Sequence, residues 1–426
     1  MRRLWSLLCK TLSFSFLLSL SCYSFSAELT DLFQAEVDAN QSQSQWQQAA
    51  VSAVLVKLTG SEQILTHQAV KTAIRSSSDY IKQYQMVQRD GRNLLQVSLD
   101  QQKISSMLQQ LQIPIWGSRR PDVLIWLTEK TLDQPQLVLL AEHPLRNALA
   151  AQAKRYGLSY LYPKYDEAEL ALVNATALWS GDWTGLTQAS PRYQATQVFN
   201  LLLEQQVDMT GQLQYRLTIQ TMVDAALQQQ EFSGADASAL LLQFSQQLAA
   251  AQAAKYAVNV QASAVADGSV QLTLDGIAGL TDLVEVQKVF SSMLTVRQQQ
   301  LVEFKPGTAT IRLTFAASEV DFYQALALEK KLQPVIVTDL TTPQTIAAET
   351  TAADGQLAEP ALSAAEQALE AALSSETTVG SETTVSSEAT NTADTATDPS
   401  QTALQLPVPV EVQIPAGHTH FRFVRP

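Results

Sequence analysis

From about residue 340 to 408 the chain is built almost wholly of Ala, Thr, Ser and Glu, and this stretch bounds what the rest can fold into. Residues 341–400 carry ten acids, from Glu349 to Asp398, and no Lys or Arg. Such a segment has too little apolar surface to offset the entropy of ordering its backbone, so residues 339–408 are expected to be a disordered acidic linker. The fold must then be made by what precedes it. At the far end, residues 409–426 turn apolar and basic again, and Phe421 and Phe423 alternate with Arg422. That alternation fits a short strand returning to the edge of a sheet. On this view, removing residues 341–426 leaves the remainder folded.

The beginning of the chain has a different character. Arg2, Arg3 and Lys10 accompany an apolar run from about Thr11 to Leu20, followed by small residues up to Ala27. This three-part layout predicts a secretory signal over residues 1–27, cut after Ser26 or Ala27. The run is shorter than the roughly 20 residues that cross a bilayer, so no integral anchor is expected. A lipid anchor at Cys22 is disfavoured, because Ser19 stands where a lipoprotein signal carries Leu, and Arg2-Arg3 lacks the polar lead-in of twin-arginine export. The expected location is therefore the periplasm of a Gram-negative bacterium, with an outer-membrane lipoprotein as the lesser alternative. Cys9 and Cys22 are the only cysteines, so cleavage leaves a mature chain without any crosslink in an oxidising compartment.

Three αβ regions fill the space between leader and linker, giving an α/β (α+β) fold. In residues 28–117, Trp46, Ala50, Ala53, Val54 and Leu58 predict an amphipathic helix stopped by Gly60. Thr66 is expected to cap a short helix, strands near 80–88 and 94–99 form a hairpin about Asp90-Gly91, and Asp100 caps a further helix. In residues 118–256, the unbroken apolar run Val123–Leu127 predicts a strand buried on both faces. A helix over Pro144–Tyr156, a strand at Leu158–Tyr162, and a helix and strand around Arg192–Leu203 follow. Leu213, Tyr215, Leu217 and Ile219 alternate with polar residues, so one buried and one wet face are expected, before a helix over Ala239–Tyr256. Residues 257–338 read as strand, helix, strand, strand, helix, strand, the order of a ferredoxin-like unit, with Ser318 and Asp321 as a capping box.

Composition removes several function classes. Net charge is −13, and no basic stripe of the kind nucleic acid requires is present. With two cysteines and four histidines, thiol catalysis and Cys/His zinc sites find no ligand set. His67 and His143 sit at helix starts, and His418 and His420 lack a nearby acid or thiol. None of the phosphate-cradling, nucleophile-elbow or zinc-protease motifs occurs, so no catalytic residue, cofactor or metal is expected. Carboxylate pairs of the glycosidase type need not be close in sequence, and a periplasmic hydrolase acting on glycan or peptide stays as the alternative.

Two aromatic clusters are the candidate interaction sites. Trp116 with Arg119 and Arg120 joins the first two regions. It reads either as a rigid connector, with one arginine pinned to a helix end or carboxylate and the other free, or as a recognition patch. Trp179 and Trp183 flank Ser180-Gly181-Asp182, either as a loop stapled to the core or as an exposed grip.

The runs Ala49–Gly60, Tyr80–Tyr84 and Ile113–Pro121 with Val123–Trp126 resemble a family of uncharacterised exported proteobacterial proteins, domain of unknown function 2066. The resemblance covers about residues 28 to 260 and is most specific at W-G-x-R-R-P. Arg192-Tyr193 sits where that family often reads R-Y, while the acidic linker and the stretch around Leu178–Trp183 depart from its pattern. It carries no catalytic residues. Together these features favour a non-enzymatic periplasmic protein that works by contact with other envelope proteins.

Overall fold

The computed structural model describes residues 32–335, apart from 90, 132–133, 208 and 260–267, together with 414 and 417–425. The expected signal and acidic linker lie outside the described residues. The architecture is mixed α/β, with several small sheets.

In the first part, β1 (Gln34–Asp38) precedes α1 (Gln43–Thr59), then α2 (Gln68–Arg75), β2 (Ile81–Arg89), β3 (Arg92–Leu99) and α3 (Gln101–Gln110). The sheet runs β1-β3-β2, antiparallel throughout. Trp46, Ala50, Val54 and Leu58 of α1 pack on Leu95 and Val97 of β3 and on Ile104 and Leu108 of α3. Ser42 and Gln45 close a capping box at the start of α1, and Gly60 ends it in the left-handed region at φ 68°. Thr66 is not a helix cap. It closes a 3₁₀ turn, Glu62–Thr66, and α2 begins after His67.

The central part begins at β4 (Ile115–Trp116) and continues through β5 (Asp122–Thr131), β6 (Gln134–Leu137), α4 (Pro144–Tyr156) and β7 (Ser159–Leu161). Three short helices follow, α5 (Glu167–Leu172), α6 (Ala175–Trp179) and α7 (Thr184–Ala189), then β8 (Gln197–Val207), β9 (Leu213–Val223), β10 (Ala226–Gly234), α8 (Ala237–Tyr256) and β11 (Ala257–Val258). Strand order is β10-β9-β8-β5-β6, with β7 also on β5, and β5 runs parallel to both β7 and β8. One face of β5, with Val123, Ile125 and Leu127, is covered by Leu149 of α4 and Phe244 and Leu248 of α8. The other, with Leu124 and Trp126, lies under Val173, Leu178, Trp183 and Leu186. That double cover is why the strand reads as an unbroken apolar run. The same short-helix layer corrects the reading of β9: its polar face is not wet throughout, and Gln220 is buried under Trp183.

The third part holds β12 (Ser269–Ile277), α9 (Leu280–Ser291), β13 (Val296–Lys305), β14 (Gly307–Phe315), α10 (Glu319–Ala327) and β15 (Leu332–Pro334). This is the expected ferredoxin-like order. Its sheet also contains β16 (His420–Phe423), and the strand order is β13-β14-β12-β16-β15. The C-terminal segment is therefore not an edge strand. It lies inside the sheet, parallel to β12 and antiparallel to β15. Phe421 and Phe423 join Leu274, Phe290, Phe322 and Leu332 in the core. A bulge in β12 makes room: Gly276 sits at φ 86°, and a Cβ there would stand 2.9 Å from the Phe423 carbonyl oxygen.

All described residues belong to one compact unit. The chain enters and leaves the central part side by side, because β4 pairs antiparallel with β11. No helix among the described residues is long and apolar enough to cross a membrane.

Candidate functional site

Trp116 is fully buried where the three parts meet. β4 carries it under the C-terminal end of α1, and its ring lies against Gly60. A Cβ on Gly60 would come within 2.6 Å of the Ala253 Cβ, 2.8 Å of the Ala249 carbonyl oxygen and 3.2 Å of Trp116. The glycine is thus needed both for its backbone angle and for the close approach of α1 to α8.

Arg120 lies over the Trp116 ring, with its guanidinium carbon 3.4 Å from the ring centroid. It donates to the carbonyls of Gly117 at 2.7 Å, Lys57 at 2.9 Å and Trp116 at 3.0 Å. Lys57 is in the last turn of α1, so the cation sits at the negative end of a helix. Burial pulls the Arg120 guanidinium well below its usual pKa range, and the carbonyls and the indole face work against that loss of charge.

Arg119 points the other way, into the ferredoxin-like part. Its Nε donates to Glu329 at 2.8 Å, and its Nη2 donates to the Val289 carbonyl at 2.8 Å and to Ser292 Oγ at 3.0 Å. Val289 and Ser292 are at the C-terminal end of α9, again the negative end of a helix. The arginines do not divide into one pinned and one free: each closes a helix end, and together they face opposite directions. Next to them, buried Asp122 accepts from Ser159 and pairs with Lys330, a second link to the third part. Sequence reading missed Asp122, Glu329 and Lys330. Asp122 follows the motif directly, whereas nothing local marks the other two.

Arg119→Ala is expected to cost about 1.5–3 kcal/mol, the range for hydrogen bonds to charged groups, because it strands a half-buried Glu329. Urea unfolding of the variant checks this, and a loss under half of the lower figure contradicts a structural role for the Arg119–Glu329 pair.

Trp179 and Trp183 are not together on a surface. Trp183 is buried and donates to Gln220 Oε1 at 3.3 Å, in a row that continues to Asn200 and Gln229. Trp179 is half-buried, with Lys130 5.3 Å above its ring. Beside Trp183 runs a groove of about 310 Å³ lined by Ser190, Gln194, Thr196, Val198 and Met222. A larger cavity, about 530 Å³, opens at the junction between Leu32, Phe33, Ile115, Ser118, Met293 and Leu294.

Nearby carboxylates serve structure. Glu169 is buried, accepts from the Tyr193 hydroxyl and the Tyr165 amide, and pairs with Arg192 at 3.1 Å. His143 accepts from the Leu145 amide at the start of α4 and lies 3.3 Å from Glu129. His418 meets the His420 carbonyl at 2.7 Å.

Two carboxyls of the third part are held below their usual pKa, Asp282 by hydrogen bonds from Arg425 and Glu285 by Lys331 and Lys288. Depressed folded-state values stabilise above the unfolded carboxyl pKa, about 4, and that stability drains away as pH falls through the lower folded values. Melting temperature should hold from neutrality to about pH 4.5 and then fall, less steeply in Arg425→Ala. Melts of both proteins across the acid range check the slope.

Residues 26–117 match the family model described as Domain of unknown function (DUF8605). The match ends at Gly117, at the junction, and covers the first part alone. It corrects the resemblance drawn from the sequence, since the matching family is DUF8605 and not domain of unknown function 2066. No curated protein and no solved structure matches the chain. The DUF8605 stretch supplies Gly60, Lys57 and Trp116, so half of the arginine–tryptophan joint lies inside it and half beyond.

Proposed function

We propose that the protein acts without catalysis, as an exported periplasmic protein of a Gram-negative envelope that binds other envelope proteins. The observation that carries this reading is the α9 flank of the third part. Leu280 and Val284, one helical turn apart, are exposed there, and Leu301 and Phe304 of β13 are exposed on the same side of the sheet. Exposed apolar groups on one flank of a folded unit are what a protein partner covers. The export pattern of the first 27 residues supports the location, and the bland, mildly acidic remainder supports a protein partner over nucleic acid.

The test is capture from envelope extract with the tagged protein and with Leu280→Lys combined with Phe304→Lys. Both positions are exposed, so the double variant should melt like the parent. It should lose the envelope proteins that the parent retains. Identical capture by the two proteins sinks the assignment of this flank.

A further inference from the structure

We propose that two copies of this chain join through β2, edge to edge and antiparallel, with Gln85 of each on a two-fold axis perpendicular to the sheet. The inference is independent of where the protein resides and of its envelope partners.

Among the described residues β2 pairs only with β3, so its other side is an open row of backbone donors and acceptors. From Gln83 to Gln88 it lacks the devices that blunt such edges, namely proline, bulges and charge. Its one bulge falls at Lys82, and from Gln83 to Arg89 the register with β3 is unbroken. The other long open edges differ. β13 is broken by two bulges, and β10 exposes Gln228, Gln229 and Glu231 along its middle.

Self-pairing about a two-fold axis places residue i against residue j of the second copy with a constant, even sum. Odd sums would set opposite faces side by side. Centring on Gln85 puts Tyr84 opposite Met86 of the second copy, and Met86 opposite Tyr84. Both lie on the helix-bearing face, since they pair with Val97 and Leu95, and they are 59% and 69% exposed in the single chain. Trp46 already holds the Tyr84 ring, with centroids 5.0 Å apart. Thioether against aromatic ring is a favourable pair. Neighbouring even registers are worse: centred on Tyr84, Met86 meets Lys82, and centred on Met86, Tyr84 meets Gln88.

The opposite face gives an independent reason for the same register. Three side-chain amides form a row across the sheet, Gln96 donating to Gln34 at 3.1 Å and Gln85 donating to Gln96 at 2.6 Å. The row runs to the open edge and stops at Gln85. On the two-fold axis the two Gln85 amides meet, each offering a donor and an acceptor to the other, and the row continues through six strands. Charge agrees. Lys82 and Arg89, the only ionisable groups in β2 besides Tyr84, lie at the bulge and at the far end of the strand, so no charge enters the central pairs from Gln83 to Val87.

Sedimentation equilibrium of the full 46.6 kDa chain across the micromolar range is the first measurement. A reversible dimer is expected, and Met86→Lys should weaken it by about tenfold or more while melting unchanged. Register is tested by Gln85→Cys in a chain with Cys9→Ser and Cys22→Ser. Directly opposed strand residues fall within disulfide reach, so this variant should oxidise to a covalent dimer, and Gln88→Cys in the same background should not. A monomer at every concentration overturns the proposal. So does a dimer indifferent to Met86→Lys, or crosslinking at residue 88 as fast as at 85.

Discussion

Truncation after residue 416 is expected to abolish cooperative melting of the ferredoxin-like part. The strand lost is β16, which bonds to neighbours on both sides. With it go two buried phenylalanines, Phe421 and Phe423, each worth about 3–5 kcal/mol when reduced to alanine. The Tyr323 hydroxyl loses the His418 carbonyl to which it donates at 3.0 Å, and Asp282 loses both bonds from Arg425, at 3.0 and 2.6 Å. Since whole domains are stable by only about 5–15 kcal/mol, these losses leave the part unable to fold. Calorimetry on the truncated chain reads the result directly. A melting temperature lowered by only a few degrees would show that β12 and β15 close up without β16, and would restore the view of the C-terminal segment as dispensable. Phe421→Ala is the milder companion, expected to weaken the same transition without removing it.

Trp116→Ala is the second large effect. The ring is fully buried, with Arg120 on one face and Gly60 at its edge. Replacing a large aromatic by alanine in a close-packed core costs about 3–5 kcal/mol, through lost transfer energy and the cavity left behind. Here the buried guanidinium of Arg120 also loses its aromatic partner, so the upper part of that range is expected. Chemical denaturation monitored by fluorescence and by circular dichroism gives the number. A loss below about 1.5 kcal/mol, typical of a site that collapses well or is only half filled, would remove Trp116 from the centre of the joint.

Much of the architecture could be read from periodicity. The strand run Val123–Leu127 and the helix ending at Gly157 stand where the pattern put them, within a residue or a few at each end. The failures have identifiable causes. β10 escaped notice because its turn is Asp224-Ala225, two non-glycine residues at φ 48° and 61°. A two-residue hairpin usually announces itself with Asn-Gly or Asp-Gly, and that signal is missing. β1 is only five residues, Gln34–Asp38, with two inward side chains, Ala35 and Val37. β16 was visible as an alternation, but which strands it joins depends on partners far away in the chain. Position within a sheet is a property of the assembled sheet, and local pattern does not encode it.

The candidate site divides in the same way. Trp116, Arg119 and Arg120 attract attention by residue type, and the structure gives each a partner set of several atoms. Residue type did not reveal that the two arginines act on different helices. Their targets, Lys57 and Val289, are backbone carbonyls, and a carbonyl has no signature in the sequence.

The placement of β16 makes the third part a natural two-piece assembly. The segment between β15 and β16 has both ends tied into one sheet, the first by the pairing of Leu332–Pro334 and the second by that of His420–Phe423. A single backbone cut anywhere in residues 341–410 would therefore separate the chain into two polypeptides without releasing either. Among the described residues, the smaller would be held by β16, the Tyr323–His418 bond and the Arg425–Asp282 pair. Removing the covalent link also removes the effective concentration that holds β16 beside its slot. Fragment exchange then becomes concentration dependent, and a peptide spanning residues 414–426 would compete for the slot between β12 and β15.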